Sequence, residues 1–213
     1  MKVTWHGHSC FEIGSLGERW VLDPYHPNMV PGLAPLALTA HRVLCSHDHE
    51  DHNYREAIQL LPPPPTSVFS LSILESYHDD KHGKKRGTNR IHILEVEDLR
   101  LVHLGDLGHP LSKEDIQTLG VVDVLLIPIG GTYTITAKQA YELVDQLQPR
   151  VIIPMHYRLK EMGFEVLEPL DDFLEYFSPI TIERYPTDTL EVTSSTTPHV
   201  AVLTYINHEN DAK

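Results

Sequence analysis

The chain has 213 residues, a length that suits one α/β domain with a substantial buried core, and we expect residues 1–213 to form a single domain. Hydrophobic residues make up 41% of it and charged residues 22%. No apolar run approaches the roughly 18 residues that a membrane span requires, so we expect no membrane association. The formal net charge of −13 would repel a phosphate backbone and disfavours nucleic acid as a partner.

The start of the chain, MKVTWHGHSCFEIG, lacks the unbroken apolar segment of a secretory leader, which predicts a cytoplasmic protein. Cys10 and Cys45 are the two cysteines. Both stand in apolar, strand-like contexts without CxxC spacing, so we expect buried thiols and not ligands or a disulfide. Fifteen histidines are many for this length, and their spacing decides whether they indicate a metal site.

The first half of the chain reads mainly as short strands. Apolar runs separated by glycines predict strands over residues 2–5, 10–13 and 19–22, and residues 42–46 are also strand-like. Residues 24–35 are rich in proline and are expected to be irregular. Residues 54–61 have a helical pattern that the four prolines at 62–65 end, so we predict a helix there.

The second half alternates strands with helices. Ser112 and Thr136 are candidate N-caps of two helices, and the second has apolar residues at helical spacing. A further helix is predicted over residues 169–177. The predicted strands cover residues 67–71, 90–96, 99–104, 122–127, 151–153, 180–184, 190–193 and 200–205.

Residues 46–52 read SHDHEDH directly after an apolar run. In an extended backbone, side chains alternate faces, so His47, His49 and Asp51 would project to one side. His52 breaks the alternation, and the pairs His47/His49 and Asp51/His52 could then address two adjacent metal ions. Imidazole favours zinc, while the carboxylate leaves room for iron or manganese. The alternative is a solvated polar loop at a strand end.

Four ligands from one loop cannot complete two sites, so later strand ends should supply more. Asp106 follows an apolar strand and Gly105, and His156 follows another strand. His78 is the best-placed histidine for the remaining position, with His82, His92 and His103 as alternatives. We expect His103 not to be a ligand, because its odd spacing from Asp106 in a strand puts the two side chains on opposite faces.

Six motifs together resemble the metallo-β-lactamase-fold hydrolases, and the similarity is closest to the branch of ascorbate-6-phosphate-lactonase-like and uncharacterised hydrolases. The motifs are HxHxDH at 47–52, GHSCF at 7–11, Asp-Pro at 23–24, HLGD at 103–106, PIGG at 128–131 and PMHY at 154–157. The resemblance implies an α/β (α+β) fold, a four-layer αββα sandwich of two mixed β-sheets flanked by helices.

The resemblance also implies a ligand set for two divalent metal ions, with zinc preferred and iron or manganese as alternatives. It assigns Asp51 and Asp106 to the catalytic machinery, with a metal-bridged hydroxide as the nucleophile. One ion would be held by His47, His49 and His78, the other by Asp51, His52 and His156, with Asp106 bridging them.

Four further residues are expected to support the metal ligands or to contact substrate. Asp23 could accept the second N–H of a metal-bound imidazole, or it could form a turn before Pro24. Tyr133 and Tyr157 could hydrogen-bond an oxyanion, or they could be packing aromatics. Arg86 could bind an anionic group, or it could belong to a solvated loop. A separate metal site at His6 and His8 is weaker than a role for them near the cleft.

The sequence therefore predicts a metal-dependent hydrolase that cleaves an ester, lactone or phosphodiester of a small molecule. Esters and lactones are favoured over amides and nucleic-acid phosphodiesters. One alternative is a metal-binding module without turnover. A diiron oxidoreductase is disfavoured, because 213 residues leave no room for a flavodoxin-like partner domain.

Overall fold

The structure, a computed structural model, describes residues 1–207. The strands in chain order are β1 (Lys2–Trp5), β2 (Phe11–Ser15), β3 (Glu18–Leu22), β4 (Leu38–Ala40), β5 (Arg42–Leu44), β6 (Ile58–Leu60), β7 (Ser70–Tyr77), β8 (Thr88–Val96), β9 (Leu99–His103), β10 (Val124–Pro128), β11 (Val151–Met155), β12 (Ile182–Arg184), β13 (Thr189–Glu191) and β14 (His199–Val202). The α-helices are α1 (Lys113–Leu119), α2 (Ala137–Leu147) and α3 (Leu170–Leu174), and 3₁₀ turns cover Arg55–Ala57 and Pro179–Thr181.

Two mixed sheets form the framework, as the α/β fold class predicts. The first has the strand order β13-β1-β2-β3-β5 and the second β12-β14-β11-β10-β9-β8-β7. In the first sheet only β3 and β5 are parallel, whereas in the second the neighbours β9, β10, β11, β14 and β12 all run parallel. None of the helices described in residues 1–207 has the length and apolar composition that crossing a bilayer requires.

The core reflects the composition of the strands. Both β10 (VLLIP) and β11 (VIIPM) are buried at every position, as expected for central parallel strands covered on both faces. The predicted caps of two helices are confirmed: Ser112 and Thr136 each form a capping box with the residue three positions on. Cys10 and Cys45 are buried and unpaired, as predicted.

The directions of the strands place several loops at one edge of each sheet. Parallel pairing of Leu22 with Leu44 brings together the residues that follow β3 and β5. In the second sheet, β9, β10 and β11 run parallel, and β7 points the same way because two antiparallel pairings separate it from β9. Residues that follow these four strands therefore lie at the same edge.

Two local predictions were wrong. Residues 54–61 do not form a helix: after the turn Arg55–Ala57 the chain extends into β6, which pairs with the unpredicted strand β4. Residues 46–52 are bends and a turn, not extended backbone, and His52 N–H donates to the carbonyl of His49 at 2.9 Å. The alternation of faces is therefore not what orients these side chains.

Candidate metal centre

The loop after β5 gathers three imidazoles. The ring centroid of His47 lies 4.5 Å from that of His49 and 4.3 Å from that of His52. Both His47 and His52 are buried, His49 lies nearer the surface, and Asp48 and Glu50 are exposed. The folded turn thus points the histidines to one side without a regular strand.

The carboxylate of Asp23 orients this loop. Its Oδ1 accepts from Ser46 N–H at 2.7 Å, and its Oδ2 accepts from Ser46 Oγ at 2.6 Å and from His52 Nδ1 at 2.8 Å. Because the Ser46 hydroxyl proton goes to Asp23, His47 Nδ1 at 2.9 Å must donate to Ser46 Oγ. Both His47 and His52 therefore present unprotonated Nε2 atoms when neutral, which is the form that binds a metal.

Asp106 is held in place by its own loop. Its backbone N–H donates to Asn89 Oδ1 at 2.9 Å, and the amide of Asn89 donates to Ser76 Oγ and the carbonyl of Leu104. A Cβ on Gly105, which has φ +55°, would lie 2.5 Å from Ser46 Cβ. Glycine at this position lets the Asp106 loop pack directly on the histidine loop.

One group of donors consists of His47, His49 and His78, whose candidate ligand atoms lie within 4.8 Å of one another. His78 follows β7, and its ring centroid is 4.7 Å from that of His47 and 5.1 Å from that of His49. The alternatives for this position lie elsewhere. His82 is exposed, His92 is in β8, and His103 accepts from Gly105 N–H at Nδ1 and donates from Nε2 to the carbonyl of Ser9.

The second group contains Asp51, His52 and His156, and also His8, again with ligand atoms within 4.8 Å. The His8 ring centroid lies 4.2 Å from that of His156, and His8 Nε2 donates to Asp51 Oδ2 at 3.3 Å. Sequence reasoning expected a role near the cleft for His6 and His8 but did not place His8 within a ligand group. In the structure β1 ends at Trp5, and Gly7 and His8 have positive φ, which turns His8 into the cluster.

The Asp106 carboxylate lies between the two groups. Its Oδ2 is 3.4 Å from His78 Nε2 and 3.1 Å from His156 Nε2, and its Oδ1 is 3.2 Å from His52 Nε2. Since Oδ2 is also 3.9 Å from His47 Nε2, Asp106 contacts two histidines of each group. The seven residues predicted from sequence as ligands are brought together.

The carboxylates of the cluster are ionised although they are largely buried from water. Burial opposes ionisation of Asp106, yet His156 and His52 overcome it and hold the pKa of Asp106 well below its usual range. Burial would lower the pKa of His52, but the carboxylates of Asp106 and Asp51 raise it well above its ordinary value. Burial lowers the pKa of His47 to about 3. The carboxylates stay ionised and His47 stays neutral, as cation ligands must, whereas His52 keeps its proton until a cation displaces it from Nε2.

Unpaired polar atoms show that the cluster fits a metal. Within residues 1–207, buried atoms without a hydrogen-bond partner include His47 Nε2, His52 Nε2, His156 Nε2 and Asp106 Oδ1. Each such atom costs about 1–3 kcal/mol unless something satisfies it. Their convergence, in a set of imidazoles and carboxylates, suits divalent ions such as zinc.

A cleft of about 410 Å³ opens beside the cluster. It is lined by Met29, Asp48, His49, Glu50, Asp51, His78, Arg86, Asp106, Tyr133 and Phe164. The structure brings Arg86 and Tyr133 to this cleft but not Tyr157. The Tyr157 ring is buried and stacks on Trp5 with centroids 5.8 Å apart, so it packs in the core and does not face the cleft.

Comparisons with known proteins agree with this architecture. A sequence model of the family described as beta-lactamase superfamily domain matches residues 2–156. A UPF0173 metal-dependent hydrolase of Caldivirga maquilingensis is 30% identical over 186 residues, 73% of this chain and 81% of the relative. A crystal structure of a metallo-beta-lactamase superfamily member from Thermotoga maritima is 34% identical, with a TM-score of 0.72 over 95% of this chain and 97% of that one.

A metallo hydrolase of Ignicoccus hospitalis, 22% identical, shares the fold with a TM-score of 0.60 over 82% of this chain and 89% of that one. The chain belongs to the beta-lactamase superfamily domain family and is a metal-dependent hydrolase of the metallo-β-lactamase superfamily.

Proposed function

We propose that the protein is a hydrolase with two metal ions, which cleaves an ester, lactone or phosphodiester bond of a small molecule. Zinc is the preferred metal, because most of the donors are imidazoles. The observation that carries the proposal is the position of Asp106, whose carboxylate contacts histidines from both donor groups.

Two groups of residues would each hold one ion. One ion would be held by His47, His49 and His78, and the other by Asp51, His52 and His156. Asp106 would bind both ions. Two cations bound in this way would lower the pKa of a shared water toward neutrality and polarise the bond under attack.

Asp23 supports both ion sites from outside them. Its carboxylate fixes His52 directly and His47 through Ser46, so one acid sets the tautomer of a histidine in each group. Neither imidazole can then rotate without breaking a buried hydrogen bond.

Asp51 differs from Asp106 in its exposure. The Asp51 side chain is 14% exposed and lines the cleft, whereas that of Asp106 is 2% exposed. His8 donates to one oxygen of Asp51. Although burial opposes it, His52 and His8 hold the pKa of Asp51 well below its ordinary value. Asp51 is therefore the ionised carboxylate that would hold the second ion on the side where the substrate enters.

The size of the cleft supports a small substrate. About 410 Å³ lies near the lower end of the range for small-molecule sites, roughly 300–1,000 Å³. A cleft of this volume can enclose a small molecule, and the acidic net charge disfavours a nucleic-acid partner.

Metal content and turnover together test the proposal. We expect about two metal ions per chain in purified protein by elemental analysis, and hydrolysis in a screen of small esters, lactones and phosphodiesters. Asp106→Asn should lower kcat/KM by at least about 100-fold in that screen. Wild-type protein that holds two ions but hydrolyses none of these substrates would favour a metal-binding module instead.

A further inference from the structure

A basic loop, residues 81–86, lies beside the cleft, and the carboxylate of Asp79 holds its backbone in place. Asp79 Oδ1 accepts from the backbone N–H groups of Lys81 at 2.7 Å and Gly83 at 3.1 Å, and its Oδ2 accepts from those of Lys85 and Arg86, both at 2.8 Å. Gly83 has φ +75°, and a Cβ there would lie 2.8 Å from the carbonyl oxygen of Gly87. The loop therefore has a fixed shape next to His78.

This shape brings Arg86 into the cleft. The Arg86 Cζ lies 5.3 Å from the centroid of the Tyr133 ring, and Nη2 donates to the carbonyl of Thr132 at 3.3 Å. Lys81 and Lys85 of the same loop pair with Asp80. In residues 1–207 no carboxylate pairs with Arg86, so its guanidinium keeps most of its donors for another partner.

Among the described residues that line the cleft, Arg86 is the one cation, and the acids are Asp48, Glu50, Asp51 and Asp106. Two divalent cations would balance these four carboxylates, and the hydroxide held between them would offset one further positive charge. What favours a substrate anion is that the remaining N–H donors of Arg86 are free beside the metal ligands.

We propose that Arg86, held against Tyr133, forms an anion subsite, so that the substrate is a small ester or lactone with a carboxylate or phosphate group. This inference rests on the proposed function. The guanidinium offers a planar pair of N–H donors that match either group. Met29 and Phe164 line the same cleft and provide apolar surface for the carbon skeleton between the anion and the scissile bond.

Binding of dicarboxylates tests the subsite without turnover. Zinc-loaded protein, with its metal content counted first, is titrated by calorimetry with malonate, succinate, glutarate and adipate and with the monoamide of each acid. At least one diacid should bind about 10-fold tighter than its monoamide, because its second carboxylate reaches Arg86. Phosphonate analogues of that diacid then distinguish a phosphate preference from a carboxylate preference.

Two variants identify the residue responsible. Arg86→Gln should remove the preference for the diacid, whereas Lys84→Gln should keep it, since Lys84 is exposed on the same loop and does not line the cleft. Equal binding of every diacid and its monoamide, or an unchanged preference in Arg86→Gln, overturns the subsite. A chain without metal or ester turnover would instead overturn the proposed function, so the two failures are distinct.

Discussion

Asp23 accepts a hydrogen bond from His52 Nδ1 at 2.8 Å, and neither side chain is exposed to solvent. The same carboxylate accepts from Ser46, whose hydroxyl orients His47. One buried acid thus sets the direction of an imidazole in each of the two donor groups.

Asp23→Asn should weaken metal binding at both sites. The amide would place an N–H donor against either Ser46 or His52, and the lost orientation typically costs about 10- to 100-fold in metal affinity. Competition with a chelating dye measures this affinity. Asp80→Asn, an exposed acid, is the control; zinc affinity in Asp23→Asn equal to that of the control would refute the role assigned to Asp23.

His78→Ala should reduce the metal content from about two ions per chain to about one. His78 completes the group with His47 and His49, and without it the ion would be left with two imidazoles and the Asp106 carboxylate that it shares with the other ion. Elemental analysis after gel filtration counts the ions. The control variant His82→Ala removes an exposed histidine of the adjacent loop and should still bind two ions per chain. If His82→Ala lost an ion and His78→Ala lost none, the assignment of His78 as a ligand would be wrong.

His8→Ala should weaken the other ion selectively. Its imidazole donates to Asp51 at 3.3 Å, so its loss frees a carboxylate of the second group while the first group is untouched. In a cobalt titration we expect one of the two binding steps to shift by about 10-fold or more while the other stays unchanged, with a changed visible spectrum. If both steps and the spectrum match wild type, His8 does not position Asp51.

Asp79→Asn should destabilise the fold in a pH-dependent way. Although desolvation opposes it, hydrogen bonds from four backbone N–H groups lower the pKa of Asp79 to about 2 from its ordinary 3.8. A carboxyl with a lowered folded-state pKa stabilises the folded state above its unfolded pKa and loses that contribution as pH falls toward the folded value.

The melting temperature of Asp79→Asn should therefore lie below that of wild type at neutral pH. The difference should shrink as the pH falls from about 4 to about 2. Thermal denaturation across this range gives the comparison. A gap between the two proteins that stays constant down to pH 2 would mean that ionisation of Asp79 does not stabilise the loop.

The sequence predicted the residues at the strand ends well. Asp106 and His156 follow apolar segments, and parallel strands bring their carboxyl ends to one edge whatever the details of the loops. The same logic located His78 after β7. These predictions required only that the strands run parallel, and buried apolar runs are a strong indication of parallel strands.

Features that depend on tertiary contacts could not be predicted. Residues 54–61 have a helical pattern, but in the structure β6 pairs with β4 instead. β4 has only three residues, and the local sequence gives little indication of it. His8 was missed because nothing in the local pattern signals the positive φ of both Gly7 and His8. Tyr157 directly follows His156, but the left-handed backbone of His156 (φ +53°) turns the tyrosine into the core.

The most direct test of the two-ion centre is anomalous diffraction from crystals of the zinc-loaded protein. We predict two zinc peaks about 3.5–4 Å apart, one beside His47, His49 and His78, the other beside Asp51, His52 and His156, with Asp106 touching both. A single peak, or a pair of peaks that Asp106 does not join, would contradict the account.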